Sequence, residues 1–248
     1  MTTPTGLGRS SYSVRLPNLA TETLSGKLIV IEGPDGSGRS TQVRLLRERL
    51  EAAGYPTVEV GLKRSGLVGA DLDAVMEGHT LMPLTLFLYY ATDFADQLEN
   101  VIVPALRSDF VVLADRYVYT LMARDIVRGA DPAWLRDIYG FALKPDAIFY
   151  LMVPPDTLAI RNLQRDSSLD YWESGMDIDR KGDMYHCFIR YQTRIRTAFG
   201  QMKKEYAFRE IDGNRPAEKV AADLWQRVRE LVSKEEPHGK GKGSRQKA

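Results

Sequence analysis

Residues 33–41 read Gly33-Pro34-Asp35-Gly36-Ser37-Gly38-Arg39-Ser40-Thr41. They match the phosphate-loop pattern G-x-x-x-x-G-K-[S/T] at every fixed position but one, where Arg39 stands in place of lysine. The pattern has a mechanism. Its glycines let consecutive backbone N–H groups converge on a phosphate without Cβ clashes. A helix that follows adds the partial positive charge of its N-terminus. A cation then reaches the β and γ oxygens of a nucleotide such as ATP, and the Ser40 hydroxyl ligates Mg2+. Arg39 keeps the charge but alters the shape. Lysine is a compact point charge, whereas arginine is a longer planar fork that grips oxygens two at a time. Two outcomes are open: the fork is tolerated and a phosphoryl group moves, or nucleotide binds and reacts poorly. An ordinary Gly-rich connection is the competing reading, and the strand before and helix after weigh against it.

Four further groups could do chemistry. Asp115 ends an apolar run, where a carboxylate can hold Mg2+ through water, and Arg116 beside it can clamp a second phosphate; a plain salt-bridged pair is the alternative. Asp35 lies inside the turn, where a carboxylate repels bound phosphates. Either it accepts a hydrogen bond from a sugar hydroxyl of a second substrate, or it caps the helix. Tyr90 and Phe94 sit one helical turn apart and either stack on a base or pack in the core. Residues 161–183 carry Arg161, Arg165, Arg180 and Lys181, either a basic lid over a triphosphate or a solvated loop.

The elements that must position these groups follow from periodicity. Apolar runs predict strands at 27–32, 57–61, 110–114, 147–153 and 208–211. Helical spacing predicts helices at 41–53, 70–77, from Pro83 onward, 118–129, 132–143, from Pro155, 184–206 and 216–232. This alternation implies an α/β fold: a parallel sheet with helices on both faces and ligands beyond the strand C-termini. The expected organisation is a flexible arm over 1–25, a domain over 26–233 with a lid at about 161–183, and a disordered basic tail over 234–248. The 248 residues carry a net charge of +1, so no overall field draws the chain to nucleic acid or a membrane surface. One cysteine excludes an intrachain disulfide framework and suits a reducing compartment, so a cytoplasmic location is expected. Residues 1–20 hold Arg9 and Arg15 with no acid; a disordered extension is expected there rather than a transit peptide, and no signal-peptide core is seen.

The stretch from Lys27 to Val232 resembles the thymidylate kinases, nucleoside monophosphate kinases built on the three-layer P-loop NTPase fold. The resemblance rests on GPDGSGRSTQ and LADRYVYT, with support from VIVPAL, KPDAIFYL, YQTRIRTAF and IDGNRPAEKV. It implies transfer of the ATP γ-phosphoryl group to deoxythymidine monophosphate (dTMP), with Mg2+ as cofactor. It implies that Asp35 faces the acceptor sugar, that Asp115 and Arg116 serve the metal and the acceptor phosphate, and that Tyr90 stacks on the acceptor base. A lid arginine would be catalytic, drawn from Arg161, Arg165 and Arg180, with Arg165 taken as the candidate beside Arg39 and Arg116.

The departures concentrate on base and sugar positions. Lys63-Arg64-Ser65-Gly66 stands where Arg-Glu-Pro-Gly is usual, Phe94 replaces a base-contacting arginine, and Thr120 to Asp125 replace S-x-x-A-Y-Q. Phe94 is therefore expected to wall the acceptor pocket, with Arg124 contacting sugar or phosphate, and thymine selectivity is expected to be weak. The partner is a small nucleotide, and a homodimer is left open. A kinase of another nucleotide or nucleoside, or a nucleotide-binding regulatory protein with low turnover, are the competing readings.

Overall fold

A computed structural model describes residues 9–14, 24–78 and 81–233. The tail expected over 234–248 and most of the expected arm lie outside the described residues. Strand β1 (Lys27–Glu32) leads through the Gly-rich turn into helix α1 (Arg39–Ala52), followed by β2 (Thr57–Gly61), α2 (Gly69–Gly78) and α3 (Pro83–Gln97). After a π-helical turn over Leu98–Ile102 come α4 (Val103–Arg107), β3 (Val111–Asp115), α5 (Val118–Val127), α6 (Pro132–Ile138) and β4 (Ala147–Met152). The chain continues through α7 (Pro155–Asp166), α8 (Met184–Met202), β5 (Arg209–Asp212) and α9 (Ala217–Val232). The wide turn before α4 suits Pro104, which has no N–H to complete an α-helical rung.

The strands run parallel in the order β2-β3-β1-β4-β5. Their apolar runs are unbroken because both faces are covered. Ile29, Ile31, Leu113 and Phe149 pack with Val43 and Leu46 of α1 and with Leu224 and Val228 of α9. Leu28, Val30, Val112 and Tyr150 face the other way, into a core shared with Leu106, Leu121, Ile195 and Phe199 of α4, α5 and α8. Every strand and helix expected from periodicity is present, with ends displaced by a few residues. With β1 central, the ends of β1 and β3 meet at one edge, which sets the Gly-rich turn against Asp115.

One expected boundary is corrected. Residues 9–14 are docked on the domain: Arg9 Nη2 donates to Asp146 Oδ2 at 2.6 Å and to Gly26 O at 2.8 Å. Ser11 forms an antiparallel bridge with Leu143, and the Tyr12 ring packs edge-on to Tyr119 and Tyr206. The first residues of the lid expected at about 161–183 belong to α7, which carries Arg161 and Arg165 in regular helix as far as Asp166, and the irregular stretch follows it.

Candidate active site

The phosphate loop has the backbone its glycines dictate. Gly36 and Gly38 hold φ of 81° and 91°, a left-handed region that other residues enter only with strain. A Cβ at Gly38 would meet nothing within 4 Å, so the loop faces open space. No side chain caps α1, which leaves its first N–H groups directed at that space. Ser37 Oγ is buried in the loop without a partner. Unclaimed donors on an open concave turn fit a polyphosphate.

Arg39 is buried, at 6% exposure, and its fork is committed to the protein. Nε donates to Asp115 Oδ1 at 2.9 Å and Nη2 to Asp35 Oδ1 at 3.2 Å. Nη1 donates to Gly33 O, and to Pro34 O at 2.7 Å. A lysine offers one nitrogen and could not hold two carboxylates and two carbonyls at once. Ser40 Oγ donates to the other Asp115 oxygen at 2.7 Å. The expected metal pair, Ser40 and Asp115, is therefore brought together at the end of β3 beside the loop, and Thr41 lies exposed on the first turn of α1.

Asp35 is the hub. Its carboxylate pairs with Arg39, with Arg116, and with Arg124 at 3.2 Å. Arg116 reaches it from a positive φ of 73°, a conformation that turns the chain sharply out of β3 and aims the guanidinium at the loop. Arg116 N donates to Ile31 O at 3.0 Å, which anchors this turn on β1. Burial, with Arg124 beside it, pulls the Arg116 guanidinium below its ordinary value, so this cation gains most from an arriving anion. Beneath the turn, Glu32 accepts hydrogen bonds from the backbone N–H groups of Tyr117 and Thr120, at 2.9 and 3.2 Å, and from the Thr120 hydroxyl. It thereby caps α5 from the end of β1, a role its place in an apolar run did not reveal.

From Arg116 a trough runs away from the loop. One part, about 390 Å³, is lined by Arg116, Arg124, Tyr90, Trp172 and Glu173; the next, about 400 Å³, by Tyr90, Arg124, Leu121, Asp125 and Trp172. Tyr90, Arg124 and Trp172 line both parts, so the trough contains Tyr90, Arg116 and Arg124 of the expected acceptor residues. Phe94 is not among its walls. The ring packs against Tyr117, Tyr139 and Phe141 at 5% exposure, because the fourth residue on from Tyr90 falls on the inner side of the α3 stripe. The expectation that Phe94 walls the acceptor is thus corrected to a core role.

Arg165, the expected catalytic lid arginine, ends α7 at 57% side-chain exposure and is bound to its neighbour Asp166, within electrostatic reach of Arg116 and Glu173. One turn earlier, Arg161 Nη1 donates to Gly36 O at 3.3 Å and to Gly213 O at 3.2 Å, which ties α7 to the phosphate loop and to the end of β5. Sequence reasoning missed the contacts of segment 167–183. Arg128 binds Asp177 through Nε at 2.7 Å and Tyr191 through Nη1 at 2.9 Å, and Trp172 Nε1 donates to Met76 O at 3.0 Å. Glu173 lines the small cleft between Asp35, Arg116 and Arg124, with its carboxyl raised by burial. A polar, aperiodic segment carries no pattern that marks these residues.

The comparisons with known proteins agree with this geometry. Residues 31–224 match a family model described as thymidylate kinase. The chain is 37% identical to a probable thymidylate kinase 2 of Saccharolobus solfataricus over 202 residues, covering 81% of this chain and 94% of the relative. It is 33% identical to a thymidylate kinase of Ruegeria pomeroyi over 81% of this chain and 93% of that one. A thymidylate kinase of Thermomicrobium roseum is 29% identical over 83% and 96%. No helix among the described residues is long and apolar enough to cross a membrane. With the phosphate loop, the Asp115-Arg116 turn and the five-stranded parallel sheet in place, the chain belongs to the thymidylate kinase family.

Proposed function

We propose that this chain transfers the γ-phosphoryl group of ATP to dTMP, forming the diphosphate, with Mg2+ as cofactor. The observation that carries the reading is the meeting of Arg39, Arg116 and Arg124 on one carboxylate, Asp35, between the phosphate loop and the trough. Arg39 is also held by Asp115, so Arg116 and Arg124 share Asp35, with the half-buried Glu173 lining the same cleft. Two guanidinium groups converging at the mouth of the trough suit the oxygens of an arriving phosphate. The loop holds the donor's β and γ phosphates through backbone N–H groups, with the α1 N-terminus behind them. The acceptor lies in the trough with its base against Tyr90 and its phosphate at Arg116 and Arg124. As that phosphate takes up the two arginines, Asp35 is released to accept a hydrogen bond from the sugar.

Catalysis is then positioning and charge neutralisation, and the acceptor phosphate oxygen attacks the γ phosphorus in line with the leaving β oxygen. Ser40 and, through water, Asp115 would hold Mg2+, which when bound would supply charge neutralisation at the phosphate oxygens. A second reading, nucleotide binding with low turnover, draws on the full commitment of the Arg39 fork to protein oxygens. One assay decides: ATP consumption with dTMP, other nucleoside monophosphates and nucleosides in parallel. The proposal expects turnover that depends on a monophosphate and is fastest with dTMP. Equal, slow hydrolysis whatever the acceptor supports the second reading and overturns the first.

A further inference from the structure

Consecutive carbonyls of the phosphate loop, from Gly33 to Gly36, are each held by a side chain. Arg39 donates to Gly33 O and Pro34 O, Asn162 Nδ2 donates to Asp35 O at 3.2 Å, and Arg161 donates to Gly36 O at 3.3 Å. Asn162 is the uncharged member of this set. It stands on the buried face of α7 with Leu158 and Ala159, at 2% exposure. Helical spacing favours another apolar residue at that place. The amide lies against Gly36: a Cβ built on that glycine would come within 3.0 Å of Nδ2 and 3.2 Å of Oδ1. Oδ1 is buried and has no partner among the described residues. A leucine of similar size would bury the same surface without an unanswered oxygen. The amide therefore costs stability where it stands, and its one hydrogen bond goes to the loop.

We propose that Asn162 is a positioning residue that presets the phosphate loop for the donor nucleotide. The inference rests on the reading above, in which this loop holds ATP. The peptide joining Asp35 to Gly36 is trans, so its C=O and N–H point in opposite directions. Asn162 draws the carbonyl towards α7 and so turns the Gly36 N–H away from that helix. The N–H has no partner among the described residues, which leaves it for a phosphate oxygen. Gly36, at φ 81°, gives this peptide plane freedom to flip. A flipped plane would present a carbonyl where the phosphate needs a donor. Arg161 holds the following carbonyl, so two adjacent residues of α7 fix the peptides on both sides of Gly36. The Asp35 carboxylate takes no part in this. It stays with Arg39, Arg116 and Arg124, so the acceptor end is insulated from a change at Asn162.

The test compares the parent with Asn162→Leu and Asn162→Asp. ATP affinity is measured by calorimetry without acceptor, and kcat and both KM values are measured with ATP and dTMP. Leucine keeps the volume and removes the donor. Aspartate keeps the shape and, when ionised, sets an acceptor against Asp35 O. Loss of one neutral hydrogen bond predicts that Kd and KM for ATP rise about 3- to 10-fold in Asn162→Leu, and further in Asn162→Asp. The loop grips ground state and transition state alike, so kcat and the KM for dTMP should stay within about twofold of the parent. The Tm of Asn162→Leu should equal or exceed the parental value. ATP affinity within about twofold of the parent in both variants overturns the assignment. Equal rises in KM for ATP and dTMP, together with a lower Tm, show a merely structural role and overturn it too. A parent that binds ATP but leaves dTMP unphosphorylated overturns the proposed function alone, and the calorimetric comparison still decides the role of Asn162. A parent that binds no ATP overturns both, and is told apart because the parent itself is then silent.

Discussion

Arg39 is asked to be both a strut and a phosphate contact, and its replacement separates the two. Arg39→Ala removes every bond from the fork to Asp115, Asp35, Gly33 and Pro34. Breaking a buried charge pair costs about 3–5 kcal/mol. The lower end applies here, because Asp115 keeps Ser40 and Asp35 keeps Arg116 and Arg124. In a chain of this length roughly 2–4 °C of Tm follow each kcal/mol, so a loss near 3 kcal/mol lowers Tm by about 6–12 °C. Turnover of ATP should vanish, since the loop loses both its shape and its cation. Arg39→Lys restores a cation that reaches the phosphates but one nitrogen in place of three. It should regain turnover while recovering only part of the lost Tm. The assays are thermal unfolding and ATP turnover on all three proteins. An alanine variant with parental Tm and parental turnover would refute both roles.

Phe94→Ala should destabilise the protein by about 3–5 kcal/mol through the cavity left among Tyr117, Tyr139 and Phe141, with relative kcat/KM among monophosphates unchanged; an altered preference would return Phe94 to the trough. Glu32 is raised by burial more than its hydrogen bonds lower it. The folded state then holds this proton to higher pH than the unfolded chain does, so parental stability falls as pH climbs from the unfolded value through the folded one. Glu32→Gln lacks that loss and should gain on the parent in urea midpoint as pH rises above the unfolded glutamate value of about 4.3; a difference independent of pH would contradict this. Arg128→Ala should release segment 167–183, seen as cleavage there by limited proteolysis several-fold faster than in the parent; unchanged cleavage would show that the Asp177 and Tyr191 bonds do not hold it.

The parts of the site that local backbone dictates were legible in the sequence. Gly36 and Gly38 prescribe a turn that few other residues adopt, and a strand ending in Asp115-Arg116 can only deliver those side chains at the sheet edge. The α/β order followed from apolar runs alternating with helical stripes. What stayed hidden is the choice between residues one turn apart. Tyr90 and Phe94 share a stripe, as do Arg161 and Arg165, and periodicity cannot say which member meets the trough or the loop. Tertiary neighbours decide: an aromatic nest takes Phe94, Asp166 takes Arg165, and the Gly36 and Gly213 carbonyls take Arg161. The docking of residues 9–14 was hidden for a similar reason, since its partners Asp146, Gly26 and Lys144 lie far along the chain and six residues show no period.

The most direct test of the central claim follows the phosphoryl group itself. The protein is incubated with ATP labelled at the γ phosphate, Mg2+ and dTMP, and the products are separated. The account predicts label in the β position of deoxythymidine diphosphate, formed in step with ADP and faster than any other labelled diphosphate. Label appearing only as inorganic phosphate, or in a different nucleotide at a higher rate, would contradict it.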